Sequence, residues 1–324
     1  MRIVIKEDNS YFQVCIKEFV ARAADFGMSV STIDRSSQIL YKVLRQWHKR
    51  LPLPRLHRAQ DDGLPPVLSV TIGPDFDPIA HSRQRGQRNM YCFDCWPQNI
   101  PWVVSFTKLF GVANIFFSAK QSADAFNEQA QGRTRCKGWW VPEGIKADDY
   151  HFYPLAEKTI DVLEFGRRYD KFHDAISPML AHKGYNHAYA TAGKLLFPTE
   201  ADFVEGLARA KVSVCFPSSI THPERSGNIS TMTLRYLQSM AAKCLVVGKM
   251  PYDMRFLFED YDPVVEIDEE GDMAAQLTGI LENINDYEQL IERNFARVQQ
   301  HHDWRNRIDD LLVHCAPNKR NHGF

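Results

Sequence analysis

Short apolar runs alternate with longer amphipathic segments along this chain, and that alternation limits the fold more than any other feature. Arg2–Lys6 (RIVIK), Val67–Ile72 (VLSVTI), Ala113–Ser118 (ANIFFS), Thr159–Phe165 (TIDVLEF) and Lys211–Phe216 (KVSVCF) are too short for helices and rich in β-branched or aromatic residues. Further strands are predicted at Met28–Ile33, Asn89–Phe93, Trp139–Val141, Tyr185–Tyr189, Lys194–Phe197 and Val264–Ile267. Helices are predicted between them, among others at Tyr11–Phe26, Gln38–Trp47, Pro101–Phe110, Lys120–Ala130, Tyr169–Ala181 and Thr199–Ala208. Strand–helix–strand succession requires right-handed crossovers and parallel, doubly wound sheets. At 324 residues the chain suits two such domains, and an apolar fraction of 44% fills two cores.

Several classes of function are disfavoured. No apolar run approaches the length of a membrane span, and Met1–Ser10 alternates like a strand instead of resembling a signal peptide, so a cytoplasmic protein is expected. Seven cysteines without a repeated spacing read as reduced thiols. Cys92 and Cys95 form a C-x-x-C with no second pair, so neither a zinc nor a redox site is expected there. A net charge of −1 argues against a general nucleic-acid binder. The charge is uneven, with 20 Lys and Arg against 15 Asp and Glu in residues 1–150. Within that half, Lys42, Arg45, Lys49, Arg50, Arg55 and Arg58 interleave with Trp47, Leu51, Leu53 and Leu56. The pattern suits peripheral contact of 42–58 with an anionic bilayer, or else a solvated loop beside a buried tryptophan.

The chain is organised around Pro223–Val247, PERSGNISTMTLRYLQSMAAKCLVV. Its polar start should lead into a helix capped by Asn228 or Ser230, and Cys244–Val247 should be a buried strand. Strand, polar loop and helix start together bring unpaired backbone donors and the positive helix end to one place, which suits an anion such as a diphosphate.

This stretch resembles the donor-binding segment of GT-B glycosyltransferases of the "group 1" class, E-G-F-G-L-x-x-x-E-A-M-A-x-G-x-P-V-V. Here Cys215–Ser219 (CFPSS) supplies the strand end and Ser230–Val247 the remainder, with Ser230 and Gln238 in place of the two glutamates. The variant is similar to a divergent branch related to spore-maturation glycosyltransferases, where a polar loop and a helix arginine, here Arg235, are usual. The hinge pattern V-P-N-G-V-D is matched by VPEGIKADDYHFYP (Val141–Pro154), and the following G-R strand exit by FGRRYDK, with Gly166, Arg167, Arg168 and Lys171. His301–Leu312 looks like the terminal helix that crosses back to the N-terminal domain. The resemblance spans residues 139–315 and is weak before them.

The fold it implies is GT-B: two Rossmann-like domains facing a central cleft, with boundaries at 1–148, 149–302 and a returning helix in 303–324. The function implied is metal-independent transfer of a sugar from a nucleotide-diphosphate donor to a glycan, lipid-linked or small-molecule acceptor, with no separate cofactor. Implied donor contacts are Glu143, Gly144, Arg167, Arg168, Lys171, Asn228, Ser230, Thr231 and Gln238. Cations and helix dipoles would take over the work of a metal on the leaving diphosphate. In the N-terminal half, the loop Glu7-Asp8-Asn9-Ser10-Tyr11 replaces the usual glycine pair. His81, in a predicted loop, and Asp94, at a strand's C-terminal end, are the catalytic candidates, Asp94 as a general base. Alternatives are a nucleotide-sugar epimerase of the same architecture and a non-catalytic two-domain ligand-binding module.

Overall fold

The computed structural model describes residues 1–6, 14–33, 38–50, 63–191 and 194–315. It forms two compact units, Met1–Glu143 with Trp304–Phe324, and Gly144–Asp303. The division between the first two parts falls a few residues before the expected one. Residues from Ile145 onward are already tied into the second unit, where the Ile145 amide donates to the His302 carbonyl (3.2 Å) and the Ala147 amide to the Asp303 carboxylate (3.0 Å).

The first unit holds a six-stranded parallel sheet made of β1 (Arg2–Lys6), β2 (Ser29–Ile33), β3 (Val67–Ile72), β4 (Arg88–Phe93), β5 (Asn114–Phe117) and β6 (Lys137–Trp140). Their order across the sheet is β2-β1-β3-β4-β5-β6. Side chains alternate across the sheet, as a two-residue period requires. Met90, Cys92, Ile115 and Phe117 pack under helices Ile100–Phe110 and Lys120–Ala130. Tyr91, Phe93 and Phe116 point the other way, toward helices Val14–Asp25 and Trp304–Cys315. Trp304 is fully buried, its ring 5.2 Å from that of Phe19 and 6.0 Å from that of Phe93. Near the end of the same helix, His314 stacks on Trp139 at 3.8 Å.

The second unit carries β7 (Ile160–Glu164), β8 (His187–Tyr189), β9 (Ala210–Cys215), β10 (Leu245–Gly248) and β11 (Val265–Glu266) in the order β11-β10-β9-β7-β8, all parallel. Helix Asp170–Lys183 covers one face with Phe172, Ile176 and Leu180 against Val162, Val212 and Val247. Helix Leu234–Ala241 covers the other with Tyr236, Leu237 and Met240. Helix Glu200–Ala208 is held at its start by a capping box between Thr199 and Asp202, as its sequence foretells. Gly248, at φ 144, lies where an added Cβ would meet the Cys215 carbonyl at 2.1 Å, so glycine is required for β9 and β10 to end side by side.

Two expectations fail. Lys194–Phe197 forms no strand, because Phe197 turns its ring onto Gly206 and Phe203 of the neighbouring helix. The organising helix starts at Leu234 with Thr233 as N-cap, several residues after Asn228 and Ser230. Ile229, Thr231 and Met232 are buried before the helix begins, so the preceding segment is anchored by packing and not by a cap.

Candidate functional site

In the second unit the strand order reverses between β7 and β9. Crevices for ligands open at such points, beyond the carboxyl ends of the strands. Arg235, in the first turn of helix Leu234–Ala241, is placed there. Its guanidinium donates to the carbonyls of Phe165 (3.3 Å) and Arg167 (2.9 Å) after β7, and to that of Phe216 (2.9 Å) after β9. Gly166 lies beneath it at φ 72, where a side chain would press on the Arg235 stem at 3.0 Å. One cation thus pins both strand-end loops. Two hydroxyls of the adjoining segments, Ser218 Oγ and Thr233 Oγ1, are buried without a protein partner. An orphan hydroxyl of this kind has hydrogen-bonding capacity left for a ligand.

The other implied donor residues are distributed as follows. Arg168 Nε pairs with Asp170 at 2.8 Å on the surface, and Lys171 Nζ donates to the Glu269 carbonyl at 3.1 Å. Tyr169 donates to Glu269 at 2.6 Å, and its phenol is pushed up to about 12 by burial and then by that carboxylate. Ser230 Oγ accepts from the Tyr252 amide (3.3 Å). Thr231 is buried and donates to the fully buried Asp253 (2.7 Å). Gln238 is buried and donates to the Tyr150 hydroxyl (2.8 Å). Asn228 follows Gly227 in the segment between the turn Pro223–Ser226 and the helix. Gly144 is the first residue of this unit, while Glu143 is the last of the other unit's main segment, with its side chain buried. Arg235, Ser218, Thr233 and Tyr150 were not singled out as contacts. For Arg235 a signal existed, the one charged residue of helix Leu234–Ala241.

In the first unit, Asp94 follows β4 with φ 51, a left-handed conformation that costs a residue with a Cβ some strain. The Cys15 thiol, in the first turn of helix Val14–Asp25, is pushed up by burial first, then by the carboxylates of Glu143 and Asp94. The loop 7–11 lies outside the described residues.

His81 departs from expectation. It is on a short helix, Pro78–Arg83, not in a loop, and it is buried among Phe76, Phe106 and Phe110. Burial first, then the Arg88 cation, push its imidazole down to about 3. Its Nδ1 has no partner. A neutral core histidine of this kind has no access to a sugar. Cys92 and Cys95 are buried free thiols. The chain also contains two D-x-D tripeptides, Asp75-Phe76-Asp77 and Asp260-Tyr261-Asp262. Asp77 is buried, and Asp260 is paired with Arg293 at 2.5 Å.

Residues 153–313 match the family described as glycosyl transferase-like. Trehalose-6-phosphate synthase OtsA is similar in structure at a TM-score of 0.60 and 10% identity, covering 98% of this chain and 99% of that one. Sucrose-phosphate synthase from Thermosynechococcus elongatus gives 0.60 and 10%, covering 97% and 98%. Anabaena HepE, solved in complex with UDP and glucose, gives 0.59 and 12%, covering 97% and 98%. No curated relative matches in sequence. Fold and family match together define the class, a glycosyltransferase of GT-B architecture.

Proposed function

We propose that the chain transfers a sugar from a nucleoside-diphosphate donor, and that the donor diphosphate sits at the β7–β9 crevice. The observation that carries this reading is the Arg235 brace, which presents the Arg167 loop and the start of helix Leu234–Ala241 side by side. Arg167 and Lys171 supply side-chain cations, and Asn228, Ser218 and Thr233 supply polar groups around the helix end. Charge accumulates on the departing diphosphate in the transition state, where fixed cations and helix amides stabilise it most. Transfer then requires no divalent ion, and Asp94 serves as base toward the acceptor hydroxyl. UDP-sugars are the first donors to try, since HepE of like fold holds UDP.

The test is thermal denaturation against a panel of nucleoside diphosphates and their sugars, followed by product analysis. A ligand at a hundred times its Kd raises stability by about 2.7 kcal/mol. A panel without any shift would overturn the reading, and so would transfer that stops when Mg²⁺ and Mn²⁺ are omitted, as regards metal independence.

A lipid-linked acceptor is favoured by helix Gln38–Trp47. Its apolar residues Ile39, Val43 and Trp47, four apart, are 79%, 41% and 60% exposed, with Lys42, Lys49 and Arg50 exposed around them. An apolar stripe bordered by cations is what an interfacial helix presents to anionic lipid. Leu51, Leu53, Arg55, Leu56 and Arg58 lie outside the described residues. Among the described residues, no helix is long and apolar enough to cross a membrane.

A further inference from the structure

We infer that Glu164, His173 and His187 form a binding site for one divalent transition-metal ion, zinc before others. Glu164 Oε1 lies 2.6 Å from His173 Nδ1 and 2.8 Å from His187 Nε2, and the three donor atoms all lie within 4.8 Å of one another. Ligands about 2.0–2.1 Å from a tetrahedral zinc stand about 3.3 Å apart, so small side-chain movements open the cluster around an ion. Two imidazoles and one carboxylate suit zinc, whereas magnesium and calcium favour all-oxygen sets.

The ligands are pre-positioned. Glu164 ends β7, His187 begins β8, and His173 is in the first turn of helix Asp170–Lys183. Their side chains are only 4%, 7% and 10% exposed. The Tyr189 ring packs against both imidazoles, at 4.7 and 4.6 Å.

Ser177 supplies an outer partner for the His173 ligand. Its Oγ lies 2.8 Å from the His173 carbonyl and 3.3 Å from His173 Nε2. With Nδ1 ligating a metal, the His173 proton resides on Nε2 and donates to Ser177. Metal-bound histidines regularly fix their outer nitrogen in this way. The ion would join the short edge strand β8 to β7 and to the helix, directly before the Phe165–Arg167 loop. The site stands whether or not a donor binds beyond that loop.

The test uses the full chain, stripped with a chelator and titrated with Zn²⁺ alone, with bound metal counted by elemental mass spectrometry. The expected result is one tight equivalent, a higher Tm, and no comparable response to Mg²⁺. His187→Asn should lose that equivalent. Ser177→Ala, which removes no ligand, should retain the native circular dichroism and weaken zinc affinity about tenfold or more. Absence of a stoichiometric equivalent in the wild type would overturn the site, as would undiminished binding in both variants. So would a Tm that responds to pH across the histidine range but not to zinc, because the cluster then holds a proton in place of the ion.

Discussion

Arg235 donates 2.9 Å to the carbonyl of Arg167 and not to its side chain, so the brace on the β7 loop is independent of which residue stands at position 167. The two arginines can therefore be tested separately. Arg235→Ala should weaken donor binding by about 1.5–3 kcal/mol, the scale of a hydrogen bond to a charged group. Arg235→Lys should rescue little, since one ammonium cannot reach carbonyls on both loops in the fork geometry of a guanidinium. Calorimetric titration with the donor checks both, and a lysine variant with wild-type affinity would refute the bracing role.

Arg167→Ala leaves that backbone bond in place and removes only the side-chain cation. With Lys171→Ala it should lower kcat/KM by a few kcal/mol in transition-state terms while the melting temperature stays near wild type. Steady-state kinetics on the double variant decide this. Unchanged turnover would place the diphosphate elsewhere.

Asp94 offers a trade between stability and activity. Asp94→Gly relieves the left-handed strain and should stabilise the fold by about 1 kcal/mol while abolishing base catalysis. Asp94→Asn keeps the conformation and should lower kcat with donor affinity unchanged. Transfer by the asparagine variant at the wild-type rate would exclude Asp94 as the base.

His81 should make the fold acid-sensitive. Its folded value is depressed to about 3, and an unfolded histidine titrates near about 6.5. Between those limits the unfolded chain binds a proton that the folded one refuses. Its contribution to stability is thus complete above about pH 6.5 and is lost as the pH falls toward 3. His81→Phe, which fits the surrounding aromatic rings, should flatten that part of the stability–pH curve, measured by urea unfolding from pH 7 to pH 5. Equal slopes in both proteins would show that His81 titrates normally.

Flotation with anionic and neutral liposomes tests helix Gln38–Trp47. Binding should be confined to anionic vesicles, fall with salt, and disappear in Ile39→Ser with Trp47→Ser. Protein that stays unbound under every condition would point to a soluble acceptor.

Much of the fold could be read from periodicity. Helix Gln38–Trp47 and strand β3 have the bounds the sequence suggests, because an apolar stripe in one and a short run rich in β-branched residues in the other leave no competing pattern. The site was legible as a region and less so as residues. The start of helix Leu234–Ala241 was misplaced because polar Asn228 and Ser230 look like caps, while burial of Ile229 and Met232 holds the chain extended past them. His81 sits near Asp77, Ser82 and Arg83 in sequence, and the tertiary packing of Phe106 and Phe110 from helix Ile100–Phe110, with Phe76, makes its environment apolar. The cluster of Glu164, His173 and His187 spans a strand, a helix and a second strand, so no local motif announces it.

Trp304 has a consequence for the order in which the molecule is made. Its indole, fully buried against Phe19, Tyr91 and Phe93, belongs to the first unit, yet it follows all of the second in the chain. Removing a buried tryptophan costs about 3–5 kcal/mol, and the nascent first unit lacks it together with Ile308 and Leu311 until synthesis has passed residue 311. The second unit, by contrast, is contiguous from Gly144 to Asp303 and has all its core residues earlier. On the ribosome, where segments fold as they emerge, the half that is begun first is finished last.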